Sequence, residues 1–330
     1  MNITEKQAIE FISEIQPQDK VGLIFHDDLD GLCSGIQMFN HISKLKCKIA
    51  TKIYTYGTQV SLPNGFANCN KVIFMDLGPF ALQKFHPLLK NKKILSIDHH
   101  PEDMEMPSDV LNYRSKGYIP ASRMVYELLK ENVWLGILGT LGDVGEKYPE
   151  NEKFVNKFLE LNNIELEEMR NNYVFKLASL LVYFNDNLEK AFELLRKIKD
   201  LSNLDEIEQY SQPVETEARE FEAKFQSEKE KINKITFFYF EPKFDIKTMI
   251  INKISIENPK EILIFVNKTK TNLNVSARNS ERKYNVADIL KKAVLGLENA
   301  SAGGHACAAG GYFQQKDLAL FKDNLKKLVI

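Results

Sequence analysis

Cysteine is scarce in this chain and never paired. Cys33, Cys47, Cys69 and Cys307 are the four, and no CxxC occurs. That spacing argues against a zinc ribbon or a disulfide framework and fits a reducing cytosol. Long apolar runs are missing too: none approaches the roughly 18 residues of a membrane span. The start, MNITEKQAIEF, has no basic segment followed by an apolar one, so no signal peptide is expected. These absences lead to a cytoplasmic expectation with no membrane partner. Strong net charge is also lacking. The formal charge is −1, so bulk charge does not advertise nucleic acid, although net charge reports steering and solubility rather than sites. There is no internal repeat and no low-complexity tract.

What is present is an ordinary globular composition, 44% hydrophobic and 27% charged, in 330 residues. That length is too great for one small core and predicts two domains. Thr4 with Gln7 reads as a capping box ahead of Ala8, Phe11, Ile12 and Ile15 on one helical face. Strands and helices then alternate. VGLIF (21–25), CKIATKIY (47–54), KVIFM (71–75) and KKILSI (92–97) read as strands. Pro79 stands at the favoured first position of a helix, and Pro120 precedes another. This alternation predicts an α/β fold: a parallel sheet with helices on both faces. From 151 to 234 glycine vanishes and Pro213 is the lone proline. The segment reads as a helical connector, with 213–235 a long exposed helix of alternating charge. ITFFYF (235–240), EILIFV (261–266) and LNVSAR (273–278) then begin a smaller C-terminal α/β domain that ends in an amphipathic helix. The expected boundaries are 1–150, 151–234 and 235–330.

The chemistry lies where the strands end. In VGLIFHDDLDGLCSG three carboxylates fall within four positions directly after a buried run. Carboxylates this close raise one another's pKa unless a cation neutralises them. His26, Asp28 and Asp30 alternate, and alternate residues of an extended strand end point to one side. That side is the carboxyl end of a parallel strand, where open α/β sheets bind ligands. Gly31 is expected to permit a sharp turn into the next helix. KVIFMDLG ends at Asp76, KKILSIDHH at Asp98, His99 and His100, and Asp143 in GTLGDVG closes another apolar stretch. Each of these residues alone has a plainer explanation, an Asp after a strand being a common helix N-cap. Together they supply at least six oxygen and nitrogen donors, which suit manganese, magnesium or zinc. Two ions sharing one carboxylate would use that many. Paired metals are a solution for phosphate-ester hydrolysis: one lowers the pKa of a bound water and both stabilise phosphoryl charge. His100 is then the candidate to hold or protonate a phosphate oxygen while His99 ligates, though spacing does not separate the two histidines.

In this order, HDDLDG, MDLG, DHH and GTLGD resemble the four motifs of the DHH phosphoesterase superfamily. NVSARNS and AGGHACAAGG resemble the C-terminal accessory domain of its RecJ-like and nano-RNase branches. His26, in place of a more usual Asp, resembles the archaeal-type members. The resemblance spans about 21–145 and 235–330. It implies two Mn²⁺ ions, with Mg²⁺ a substitute, held by His26, Asp28, Asp30, Asp76, His99 and Asp143, Asp76 bridging. It implies that His100 faces the scissile phosphate and that Asp98 orients the DHH triplet. Arg278, Gly303, Gly304 and His305 would hold substrate, Arg278 by its bidentate geometry and the glycines by close backbone approach. Ala302 stands where many relatives have a first glycine.

The implied activity is a metal-dependent, single-strand-specific exonuclease removing nucleotides from ends of DNA or RNA, with a place in DNA repair. The alternative within the fold is a nano-RNase, a 3′-phosphoadenosine 5′-phosphate phosphatase or a cyclic-dinucleotide phosphodiesterase. A non-catalytic replication or repair scaffold is disfavoured because every expected ligand is present, and an inorganic pyrophosphatase or polyphosphatase because of GGHACAAGG. The helical connector is where a replication or repair protein, or a second copy of the chain, would bind.

Overall fold

The structure is a computed structural model, and it describes residues 1–100, 104–115 and 117–328. The chain divides into two compact units, Met1–Gln209 and Tyr210–Ile330.

The first unit opens with α1 (Glu5–Ser13), whose capping box is present at Thr4 and Gln7. Then follow β1 (Lys20–His26), α2 (Leu29–Ser43), β2 (Lys48–Tyr54), β3 (Lys71–Met75), α3 (Pro79–Phe85), β4 (Lys93–Asp98) and β5 (Val110–Arg114). The five strands form one parallel sheet in the order β2-β1-β3-β4-β5. Every residue of β3 is buried, as expected when both faces of a central strand are covered. Ile24, Val72, Phe74 and Ile94 pack with Leu82 and Phe85 of α3. The opposite face is covered by α2 and by α4 (Ala121–Leu129), with α5 (Val133–Gly142) packed on both. Order reverses between β1 and β3, and that switch point is where such sheets open a crevice at their carboxyl ends.

Strand β5 was not among the expected strands. It buries Val110 and Asn112 and leaves the rest half-exposed. A five-residue, partly polar edge strand gives little periodic signal. After α5 come α6 (Pro149–Asn162), α7 (Leu166–Glu168), a π-helical turn at Met169–Val174, α8 (Phe175–Tyr183) and α9 (Leu188–Leu195).

The division between units falls inside α10 (Glu208–Glu228), so 151–209 lies with the first unit and 210–234 with the second. The expectation of an exposed helix across 213–235 is corrected here. The helix ends at Glu228, and Val214, Ala218, Phe221 and Phe225 are buried. Their spacing is a single helical face. Phe221 meets Phe240 at a ring-centroid distance of 5.0 Å, and Phe225 meets Phe265 at 5.2 Å. The surrounding Glu and Lys hid this narrow stripe.

The second unit continues with β6 (Glu230–Ile232), β7 (Ile235–Phe240), α11 (Lys247–Glu257), β8 (Ile262–Lys268), β9 (Leu273–Arg278), α12 (Val286–Ala293), β10 (Ser301–Gly304), β11 (Ala308–Phe313) and α13 (Leu318–Lys327). Its six-stranded sheet runs β10-β11-β9-β8-β7-β6 and is mixed, with β7 and β8 the parallel pair. Ile264, Val275, Leu290 and Phe321 belong to its core. Among the described residues no helix is long and apolar enough to cross a membrane.

Candidate metal centre

Three neighbouring strands deliver the cluster. His26 is the last residue of β1, Asp76 follows β3, and Asp98, His99 and His100 lie at the end of β4. Asp28 and Asp30 do not extend the strand, so the alternation expected from His26 to Asp30 is corrected. Asp28 is the N-cap of α2 and accepts from the Gly31 N–H at 2.9 Å. Asp30 sits in the first helical turn, buried, and accepts from the N–H groups of Ala121 (2.7 Å) and Ser122 (2.9 Å) at the start of α4. It thereby meets that helix's positive end and is held rigidly. Gly31 has no positive φ and makes no special turn. Its smallness serves approach instead, because a Cβ there would lie 2.5 Å from the His26 carbonyl oxygen. Asp143 arrives from a different layer, as the C-cap of α5.

These residues converge as two groups joined by Asp76. His26 Nδ1 lies 2.9 Å from Asp28 Oδ2 and 3.3 Å from Asp76 Oδ2. His99 Nε2 lies 3.1 Å from Asp76 Oδ1, 3.6 Å from Asp143 Oδ2 and 3.8 Å from Asp30 Oδ2. Asp76 therefore turns one oxygen to each group. Its backbone is left-handed, φ 57°, and its N–H donates to the Ile97 carbonyl at 3.0 Å. His26, Asp28 and Asp76 offer atoms within 4.8 Å of one another, as do Asp30, His99 and Asp143.

The electrostatics are those of surplus acid. Burial and the charges of Asp28 and Asp30 push the Asp76 carboxyl well above the usual range. Burial and then Asp30 push Asp143 up to about 8, and burial raises Asp30 itself. His26 is driven the other way: burial opposes its charge, but Asp28 and Asp76 outweigh it and push its pKa up to about 12. Four buried atoms here, His26 Nδ1, Asp76 Oδ2, His99 Nδ1 and Asp143 Oδ2, have no aligned hydrogen-bond partner. Buried polar atoms are rarely left so. Divalent cations with oxygen and nitrogen ligands fit this donor set and would neutralise the carboxylates.

Sequence reasoning missed several neighbours. Asp27 lies 3.0 Å from His26 Nε2. Arg114, on the unexpected β5, lies 3.1 Å from Asp98 Oδ2, whose other oxygen is 2.8 Å from His100 Nδ1. Burial would raise the Asp98 carboxyl, but His100, His99 and Arg114 hold it below the usual range. Asp98 in turn, against burial, raises the pKa of His100. Two tyrosines flank the histidines edge-on, Tyr56 at 5.1 Å from His26 and Tyr118 at 5.0 Å from His99, between ring centroids. The aromatic pair in IYTYG at the end of β2 was the available signal for Tyr56.

A cavity of about 480 Å³ opens at the opposite end of the sheet, beside Asp19 and Lys71. Lys71 there is already 3.0 Å from Asp19, so the cavity offers that cation no new role.

The remaining expected residues belong to the second unit. Arg278 closes β9, Gly303 and Gly304 close β10, and His305 begins the turn to β11. Arg278 pairs in register with Ala308, which sets that turn beside it. Gly304 has φ 130°, and a Cβ there would lie 2.7 Å from the Ala308 carbonyl oxygen. Nothing lies within 4 Å of a Cβ placed on Gly303.

No curated protein matches the chain in sequence. Among solved structures, RecJ from Thermus thermophilus in complex with Mn²⁺ aligns with a TM-score of 0.69 at 15% identity. The alignment covers 98% of this chain and 54% of that one, so this chain spans about half its length. An exonuclease RecJ bound to manganese aligns at 0.68 and 17% identity, covering 98% and 93%. An exopolyphosphatase-related protein from Bacteroides fragilis aligns at 0.57 and 12%, covering 98% and 95%. At such identities the likeness is one of fold. The DHH family N-terminal domain matches residues 20–162, and the DHHA1 domain matches 235–330. With both domains present in order, the chain belongs to the DHH family.

Proposed function

We propose that the chain is a two-metal phosphodiesterase that removes nucleotides from an end of single-stranded DNA or RNA. The observation that carries this reading is the Asp76 carboxylate, with one oxygen toward His26 and Asp28 and the other toward His99. His26, Asp28 and Asp76 would hold one ion, and Asp76, His99, Asp143 and Asp30 the other, with Mn²⁺ preferred and Mg²⁺ a substitute. Held there, the ions would supply Lewis-acid chemistry, making a water more acidic and neutralising charge on phosphoryl oxygens.

The chain's own residues do the rest. Asp98, fixed by Arg114, keeps the His100 Nδ1 proton in place and leaves Nε2 to meet the phosphate. A His100 imidazolium would donate from Nε2 to a phosphoryl oxygen as charge builds there. Arg278, His305 and the Gly303–Gly304 backbone hold the substrate. In this reading 1–150 carries the chemistry, 235–330 the substrate, and 151–234 links them and offers a surface to a repair protein or a second copy.

The test is digestion of end-labelled DNA and RNA oligomers of graded length with Mn²⁺ and with excess EDTA. Mononucleotide release from a 20-mer, abolished by EDTA, is the expected result. Activity confined to two- to five-mers, cyclic dinucleotides or phosphomonoesters would replace the exonuclease with a small-substrate phosphoesterase. No phosphate-ester hydrolysis with Mn²⁺ on any of these substrates would overturn both.

A further inference from the structure

The segment from 151 onward reads from sequence as a connector, yet its first residue reaches back toward the metal centre. Asn151, in the first turn of α6, is fully buried. Its side-chain amide donates to the Tyr118 carbonyl at 2.8 Å and to the Gly145 carbonyl at 2.8 Å. Its Oδ1 accepts from Arg123 Nη1 at 2.7 Å. Both donors and the acceptor of the side chain are thus in use. Arg123 is itself fixed, by Glu127 at 2.8 Å and the Glu150 carbonyl at 2.6 Å.

The two carbonyls belong to different connections. Tyr118 lies between β5 and α4, and Gly145 lies between α5 and α6. Each connection backs one member of the group formed by His99 and Asp143. Tyr118 sets its ring edge-on to His99 at 5.0 Å between centroids. Gly145 follows Asp143 by two residues, with the left-handed Val144 between them. Gly145 is closely packed, because a Cβ there would lie 2.8 Å from the Thr140 carbonyl oxygen and 3.1 Å from Pro120 Cγ. The connections also meet through Tyr118 and Tyr148, whose rings stack at 3.9 Å. Arg170, in the π-helical turn, adds a second hold through its ion pair with Glu146.

An apolar side chain could fill this space without needing three partners. What the amide adds is direction: it fixes the spacing of two connections. His26, Asp28 and Asp76 are carried by the ends of β1 and β3 and the start of α2. Among the described residues, the amide bonds to none of these.

We infer that Asn151 is a positioning residue for the ion held by His99 and Asp143. It ties the connection that backs His99 to the turn that follows Asp143, and leaves the ion of His26 and Asp28 to other supports. This deepens the two-ion reading of the cluster and rests on it.

The experiment is calorimetric titration of the full, metal-free chain with Mn²⁺. The parent is expected to bind two ions. Asn151→Ala should weaken one of them roughly ten- to a hundredfold, the range for groups that orient metal ligands, and leave the other unchanged. Asn151→Asp keeps the volume and the Arg123 contact but has no N–H to give. It should act in the same way, so the test survives if Asn151→Ala does not fold. Asp143→Ala should weaken the same ion, and adding Asn151→Asp to it should cost little more. Asp19→Ala, at the far end of the sheet, controls for lost stability and should leave both affinities as they are. Equal weakening of both ions, unchanged binding in a folded Asn151→Asp chain, or selective loss of one ion in Asp19→Ala would overturn the inference. A parent that binds a single Mn²⁺ would instead sink the proposed two-metal function. The inference would then stand if Asn151→Asp and Asp143→Ala weaken that ion non-additively, and fall if their effects add.

Discussion

At the amino-terminal end of the five-stranded sheet, Lys71 and Asp19 lie 3.0 Å apart, with side chains 7% and 11% exposed. At the carboxyl-terminal end, Asp30, Asp76 and Asp143 crowd around His99 with their carboxyls pushed above the usual range. The first end balances its charge internally and gains stability from it. The second leaves acid in surplus, which lowers stability until a cation arrives. The same sheet thus separates a region built to persist from one built to bind. Asp76→Ala is the sharpest way to break this comparison. It removes the carboxylate shared by both groups, so metal-dependent hydrolysis should fall below detection. The metal-free variant should nevertheless melt higher than the parent, because one repelled, buried carboxyl is gone. Mn²⁺ should then raise the melting temperature of the parent and not of the variant. Normal turnover by Asp76→Ala would refute the two-metal arrangement.

The opposite sign is expected at the amino-terminal end. Asp19→Ala takes the carboxylate from the buried Lys71 charge and leaves it the neutral Glu14 carbonyl as acceptor, which should cost about 3 kcal/mol, as for other broken buried pairs. Asp19→Leu combined with Lys71→Met should recover most of that loss. The pH dependence follows from the Asp19 carboxyl. Burial would raise its pKa, but the Asn70 amide, the Gln16 N–H and Lys71 outweigh burial and lower it to about 2. A depressed folded-state pKa contributes stability above the unfolded value of about 3.9, and that stability is lost as pH falls through the folded value. Denaturant melts of parent and Asp19→Asn should therefore differ at pH 6 and converge between about pH 4 and pH 2.

Legibility from sequence followed the same division. VGLIF, KVIFM and KKILSI announced themselves because central parallel strands are apolar throughout. The acids and imidazoles after them stood out because charge ends such a run abruptly. Asp30 was found for the wrong reason: its place depends on a helix starting three residues after the strand's last residue, which brings its carboxylate to the N–H groups of α4. Arg114 and Tyr118 were invisible, because β5 is short and partly polar and because ring contacts depend on tertiary packing. The buried stripe of α10 was obscured by its charged faces.

Arg114 offers an intermediate test. Arg114→Met removes a cation from buried Asp98, and Asp98 is what aligns His100. Groups that orient a reacting side chain typically matter tenfold to about a hundredfold in activity. A drop of that size in kcat, with KM nearly constant, is expected. A change confined to KM would move Arg114 from positioning His100 to holding substrate.

Backbone conformation gives the smallest contrast between the two ends. Left-handed φ occurs at Asn91 beside the amino-end cavity and at Val144 directly after Asp143, with φ 66° and 56°. Asparagine tolerates that region, whereas a β-branched residue there is strained, at a cost of roughly 1–2 kcal/mol. Val144→Asn carries the amino-end solution to the metal end. It should stabilise the chain by about 1 kcal/mol, or roughly 2–4 °C in melting temperature for a unit of this size. Because the backbone angles are unchanged, Asp143 should keep its place and kcat/KM should stay within about twofold of the parent, a difference under roughly 0.5 kcal/mol. A lower melting temperature would show that the valine is relaxed where it stands. A raised melting temperature with a large loss of kcat/KM would show instead that the strain itself aims Asp143 at the metal.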